Sequence, residues 1–148
     1  MRTPYNPNQS PRVIIIQKLY GNFFNDDTDL TFPKHRFKKF IKDVVLGTIE
    51  RDEVIKEEVK KYLSEDILLT NLDKVFQIIV KSAIFEFLYK PKVSTKIIIK
   101  EYLDASNFFI FFEIVMGISN TPGTLIILII LSLGNLSLAL FNKPLAIS

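Results

Sequence analysis

The sequence contains no cysteine, a single histidine and only five glycines in 148 residues. Without cysteine the chain has no disulfide framework, no thiolate metal site and no cysteine nucleophile. The lone histidine, His35, stands in a lysine-rich stretch, where an ordinary surface role is more common than a catalytic or metal-binding one. So few glycines leave little material for a loop that cradles nucleotide phosphates. These absences argue against an enzyme.

The composition permits one domain with a real core. The formal net charge of +3 permits a nucleic-acid partner but is weak support for one. The opening residues, MRTPYNPNQSPR, have no apolar run, so no secretory signal is expected and a cytoplasmic location is predicted.

Charge is distributed unevenly along the chain. Residues 110–148 contain only two charged residues, Glu113 and Lys143, and all the others precede them. We therefore treat residues 1–109 as the helical domain and residues 110–148 as an apolar tail of separate character.

Apolar residues recur at helical spacing through the first part, which predicts an all-α bundle with no strand. The first helix is expected to bury Ile15, Leu19 and Phe23, with Ser10 as its N-cap, and the second to bury Phe37. The predicted helices are Pro11–Phe23, a second from about Pro33, a third from about Asp52 to Leu63, a fourth from Asn71, and a fifth from Ser94 to about Phe108. The fourth is expected to break at Tyr89-Lys90-Pro91, and Ser94 to cap the fifth.

The fourth helix is apolar around most of its circumference, which is typical of the central helix of a bundle. Its polar residues form a narrow stripe of Lys74, Gln77 and Lys81, with Glu86 as a candidate fourth member. Everything else is expected to pack around this helix and the one after it.

Three stretches in this region resemble, in order and spacing, motifs of the NusB family of bacterial transcription antitermination factors. They are PRVIIIQKLY, FKKFIKDVVLGTIERDEVIKEEVKKYL and the run from Asn71 to Glu101, and the resemblance covers roughly residues 10–109. The matching positions are Arg12, Gln17, Leu19, Tyr20, Phe37, Gly47, Ile55, Tyr62, Leu63, Val75, Ile79, Lys81, Ala83, Phe85, Glu86, Leu88, Tyr89, Val93, Lys96, Ile99 and Glu101.

The sequence departs from the family pattern in several places. Gln77 and Lys81 stand where the family has two arginines, and Ser94 and Lys100 replace a proline and an asparagine. The closing motif, which resembles S-x-x-F-V-N-G-V-L-D in the family, is missing after Phe109.

The resemblance implies an all-helical RNA-binding protein with no catalysis and no cofactor. It implies that the protein acts with NusE, a small-subunit ribosomal protein, on the boxA element of nascent ribosomal RNA transcripts. Together the two proteins would help the RNA polymerase elongation complex resist termination.

Binding of single-stranded RNA needs cations for the phosphates and aromatic faces for the bases. Arg12 and Tyr20 are two turns apart on the first helix, and Lys74 and Lys81 are two turns apart on the fourth. With Lys96, these are the predicted RNA-binding residues, although core packing for Tyr20 and plain solvation for the lysines remain open. An auxiliary basic patch is predicted from Lys34, Arg36, Lys38, Lys39 and Lys42.

Three interpretations of the tail remain open. The uncharged run from Thr124 to Phe141 has the length of a short membrane span, but its polar residues make insertion marginal. In the second interpretation the tail is a substitute last helix of the bundle, and in the third it is the product of a reading-frame error. We favour the frame error as a hypothesis. Two alternative functions remain open. One is a membrane-anchored helical protein with the tail as its span, and the other, within the same fold, is a fragment holding the RNA-binding domain of a ribosomal RNA cytosine methyltransferase.

Overall fold

A computed structural model describes residues 9–25, 30–61 and 73–116, with side chains as far as Phe109. Within these residues all regular structure is helical and no strand occurs, as the sequence predicts. The helices are α1 (Pro11–Phe24), α2 (Lys38–Glu50), α3 (Asp52–Lys60), α4 (Lys74–Tyr89) and α5 (Thr95–Met116). Predictions for Tyr62, Leu63 and Asn71, and for the run from Thr124 to Phe141, concern residues outside this set.

The helix starts follow from local capping. At the start of α1 the Ser10 hydroxyl accepts the Val13 N–H at 3.5 Å, and Pro11 occupies the first turn, where a missing N–H costs nothing. At the start of α4 the Asp73 carboxylate accepts the Val75 N–H at 3.0 Å. At the start of α5 the Ile97 and Ile98 N–H groups donate to the Ser94 carbonyl. The Ser10 cap and the break before Ser94 confirm the predicted starts of α1 and α5.

The prediction that the second helix starts near Pro33 is wrong, because α2 begins at Lys38. The Phe37 N–H donates to His35 Nδ1 at 2.9 Å, and His35 Nε2 contacts the Gln9 carbonyl at 3.0 Å. The imidazole thus ties the segment before α2 to the chain before α1. Phe37, predicted to be inward, is 47% exposed because it precedes the helix.

α4 is the central helix, as predicted, and it packs against each of the other four. Its Ile79, Ala83 and Ile84 are buried among aliphatic side chains from the neighbouring helices. Around it, α1 contributes Val13, Ile15 and Ile16, α2 contributes Ile41, Val44 and Val45, α3 contributes Ile55 and Val59, and α5 contributes Ile98, Tyr102 and Ala105.

Gly47 allows α2 to lie close to α4. A Cβ at this position would overlap the ring of Phe85, so no larger residue fits without moving the ring. Gly21, in contrast, has open space around it, and α1 continues through it to Phe24 instead of ending there.

Within the described part of the chain, none of the helices combines the length and the apolar character that crossing a bilayer requires.

Candidate nucleic-acid interface

A groove of about 380 Å³ opens where α1, α2, α3 and α4 converge. Apolar side chains from α1, α2 and α4 and polar side chains from all four helices line it. The lining residues are Leu19, Asn22, Phe23, Thr48, Ile49, Asp52, Lys56, Lys74, Gln77, Ile78 and Lys81.

Two lysines of this lining pair with one carboxylate. Lys56 Nζ lies 2.6 Å from Asp52 Oδ2, and Lys81 Nζ lies 2.6 Å from Asp52 Oδ1. Burial opposes ionisation of Asp52, but the hydrogen bonds from Lys56 and Lys81 outweigh it and lower the pKa of the carboxyl. The pair with Asp52 raises the pKa of Lys56. The groove therefore holds more positive than negative charge.

Lys74 extends this positive rim towards an aromatic face. Its Nζ lies 3.2 Å from the centroid of the Phe23 ring, a close cation–π contact. Partial burial, and secondarily the charge of Lys81, lower the pKa of Lys74. The Lys74 ammonium thus contacts the Phe23 ring and is repelled by Lys81, so an anion bound beside it would be stabilised.

An exposed aromatic cluster continues from the groove along the end of α1. Tyr20 and Phe24 have ring centroids 4.9 Å apart, and Phe23 and Phe24 have centroids 5.1 Å apart. The three residues are 40%, 49% and 60% exposed in chain order. Phe23 was predicted to be in the core, and this is wrong, because the last turn of α1 extends beyond the helices that cover its first half. Exposed rings beside lysines are the groups that bind unstacked bases and their phosphates.

Arg12 does not share this surface, although its spacing from Tyr20 predicted that it would. Eight residues make about 2.2 turns, so the two side chains point roughly 80° apart around α1. The Arg12 side chain is 9% exposed, and Nη2 donates to Glu86 Oε1 at 2.7 Å while Nε donates to Glu86 Oε2 at 3.2 Å. Its guanidinium also lies 5.0 Å from the Phe40 ring centroid.

Glu86 is correspondingly absent from the polar stripe of α4. Its side chain is fully buried, and it satisfies Arg12 inside the core. The Tyr102 hydroxyl lies beside Glu86 and Ser82 but makes no well-formed hydrogen bond. Burial, and secondarily the charge of Glu86, raise the pKa of Tyr102 well above its usual value.

A family model describing the NusB family matches residues 10–109, more than half of the chain. The chain belongs to the NusB family. Searches of curated proteins and of solved structures each found no significant match.

Membership of the NusB family gives the helical domain its general function. Proteins of this family bind RNA, act in transcription antitermination with RNA and protein partners, and are not enzymes. In the described residues, no group of histidine, aspartate or glutamate side chains is arranged to hold a metal ion.

Among the predicted RNA-binding residues, Lys74 and Lys81 line the groove, and Tyr20 lies in the adjoining aromatic cluster. Lys96 is exposed on the first turn of α5 and is not part of the groove lining. The auxiliary patch is exposed in the segment before α2 and on its first turns, at Lys34, Arg36, Lys38, Lys39 and Lys42.

Phe23, Asp52 and Lys56 are groove residues with aromatic or charged side chains that were not predicted to belong to the site. Asp52 and Lys56 carry a recognisable signal, because opposite charges four residues apart meet on one side of a helix. That signal alone is typical of solvated surface. The contact of Asp52 with Lys81, which lies 29 residues further along the chain, depends on how α3 packs against α4.

Proposed function

We propose that this protein binds the boxA element of ribosomal RNA transcripts together with NusE, in the cytoplasm, and helps RNA polymerase resist termination. The observation that supports it most is the convergence of Lys74 and Lys81 with the exposed rings of Tyr20 and Phe23 on one side of a NusB-family domain. The rings offer stacking faces and the lysines offer phosphate contacts.

The proposed RNA surface consists of the groove and the aromatic cluster, with Lys96 as a further phosphate contact. The basic patch from Lys34 to Lys42 adds long-range attraction. Arg12 supports this surface from within the core, because its ion pair holds α1 against α4, the two helices that carry Tyr20 and Lys81.

The test is binding of a fluorescently labelled boxA RNA, followed by anisotropy with and without NusE over a range of salt concentrations. We expect binding that is tighter with NusE, tighter than to a scrambled RNA, and weaker as salt rises, because phosphate contacts release counterions. Undetectable or salt-insensitive binding under both conditions would refute the proposal.

Matched variants locate the surface. Lys74→Ala should weaken binding about three- to tenfold and reduce the salt slope by about one. Lys61→Ala removes the same charge from a side chain that is 57% exposed, pairs with Glu58 and is not part of the groove lining, so it should change affinity little. An equal effect of both substitutions would indicate general charge attraction and not a defined site.

A further inference from the structure

Each oxygen of the Asp52 carboxylate is engaged by a different lysine. Lys56, one turn further along α3, takes Oδ2, and Lys81, from α4, takes Oδ1. Two cations on separate helices thus converge on one small anion. A phosphate group, with several negatively charged oxygens, meets the same two donors with more charge than a carboxylate has.

The charge of the groove exceeds what Asp52 neutralises. The lining carries three lysines against this one carboxylate, and the further carboxylate that pairs with one of them is Glu53, 3.1 Å from Lys56. Glu53 has a side chain that is 85% exposed, so solvent screens it strongly. Lys74, the third lysine, lies against the Phe23 ring.

The rest of the groove lining includes apolar side chains beside these lysines. They are Leu19, Ile49, Ile78 and Phe23, and Lys74 lies over the face of the Phe23 ring. A ring face now covered by an ammonium can pack against a nucleobase when a phosphate attracts that ammonium away.

We propose that Asp52 occupies the position of an RNA phosphate, and that the groove binds one unstacked nucleotide when RNA displaces its carboxylate. The phosphate lies between Lys56 and Lys81, the base packs on Phe23, and the Asp52 side chain, already 32% exposed, turns to solvent. This inference rests on the proposed RNA-binding function. In the free protein Asp52 keeps Lys56 and Lys81 in position. Its carboxylate competes with the RNA phosphate for these two lysines and so weakens RNA binding.

The decisive variant is Asp52→Asn, which keeps the size of the side chain and removes its charge. Binding of the boxA RNA is measured by anisotropy with the full chain. If Asp52 competes with phosphate, Asp52→Asn should bind about three- to tenfold more tightly than the wild type, since a repulsive charge at the contact is removed. The control is Asp104→Asn, which removes a carboxylate paired with Lys100 on α5 and should change affinity less than about twofold.

A double-mutant cycle tests whether the effect passes through the groove lysines. In the Lys81→Ala background, Asp52→Asn should lose most of its gain, because the phosphate contact that Asp52 obstructs is no longer there. A gain that persists in full would show a general effect of net charge and would overturn the inference. Cooperative thermal unfolding of each variant confirms that the fold is intact.

A titration of the wild-type chain with uridine 5′-monophosphate, followed by NMR, separates failure of this inference from failure of the proposed function. If the wild type binds boxA RNA but Asp52→Asn binds no more tightly, the inference is wrong and the proposed function stands. If the wild type binds no boxA RNA, the proposed function fails. In that case the titration still tests the proposed phosphate position between Lys56 and Lys81. Chemical-shift changes at Lys56, Lys81 and Phe23 that occur with uridine 5′-monophosphate but not with uridine support this position. If no such changes occur, the inference is overturned.

Discussion

Arg12 on α1 and Glu86 on α4 form a two-point ion pair in the core, although 74 residues separate them in the sequence. Both side chains are shielded from water, and Glu101 on α5 approaches the same guanidinium at 4.0 Å. The Arg12 guanidinium therefore links α1 to both α4 and α5. Buried pairs of this kind are costly to break because one charge is then left unpaired.

We expect Glu86→Leu or Arg12→Leu to reduce the free energy of unfolding by about 3–5 kcal/mol, measured by urea denaturation. The double variant Arg12→Leu with Glu86→Leu should be considerably more stable than the two single losses added together, since it leaves no uncompensated charge. Additive losses would contradict strong coupling. If Arg12 acts only through the fold, the folded double variant should retain RNA affinity within about threefold.

The two glycines with defined surroundings should respond in opposite directions to alanine. Gly47→Ala should destabilise the domain by about 1–2 kcal/mol, because overlap with the Phe85 ring outweighs the gain of about 1 kcal/mol in helix propensity. Gly21→Ala, with nothing nearby, should stabilise it by up to about 1 kcal/mol. Chemical denaturation of both variants provides the comparison, and adding Phe85→Leu to Gly47→Ala should recover part of the loss.

The Tyr102 hydroxyl is expected to contribute nothing to stability. It is buried without a well-formed hydrogen bond, so Tyr102→Phe should leave the free energy of unfolding unchanged or raise it by up to about 1 kcal/mol. Thermal and urea unfolding measure the effect. A loss of more than about 1 kcal/mol would instead mean that the hydroxyl bonds to Glu86 or Ser82.

The elements that were predicted correctly are those determined by local sequence. The Ser10–Pro11 start of α1, the break after Tyr89 and the central position of α4 each follow from a cap, a proline or an apolar circumference. Glu86 and Phe23 were misplaced because their environments depend on contacts between helices. Arg12 was misplaced because eight residues are not a whole number of turns, and because its guanidinium pairs with Glu86 in the core. Helical spacing states which residues share a face of one helix, but it does not state which part of that face another helix covers.

The basic patch before and along α2 should act on RNA through charge alone. Replacing Lys38 and Lys42 with glutamine removes two exposed charges that are not part of the groove lining. We expect a loss of RNA affinity of about two- to fivefold at low salt that disappears as salt rises, since screening removes long-range attraction first. Anisotropy at two salt concentrations measures it. A loss that persists at high salt would place direct phosphate contacts in the patch.

The Asp52 carboxylate should make stability depend on pH in the acid range. Its pKa is lowered in the fold, where hydrogen bonds from Lys56 and Lys81 outweigh the opposing effect of burial, so the unfolded chain binds its proton more readily. The stabilisation is therefore fully present above about pH 4 and is lost as the pH falls through the lowered pKa.

Asp52→Asn should consequently unfold more easily than the wild type at pH 6, by about 0.2–1 kcal/mol, as is usual for partly exposed pairs. The difference between the two proteins should shrink steadily between about pH 4 and pH 2, as protonation removes the same charge from the wild type. Urea unfolding at a series of pH values measures it, with Asp104→Asn as the comparison for an exposed pair within one helix. A difference independent of pH would mean that the substituted amide loses helix-end or packing interactions and that the charge of Asp52 contributes no stability.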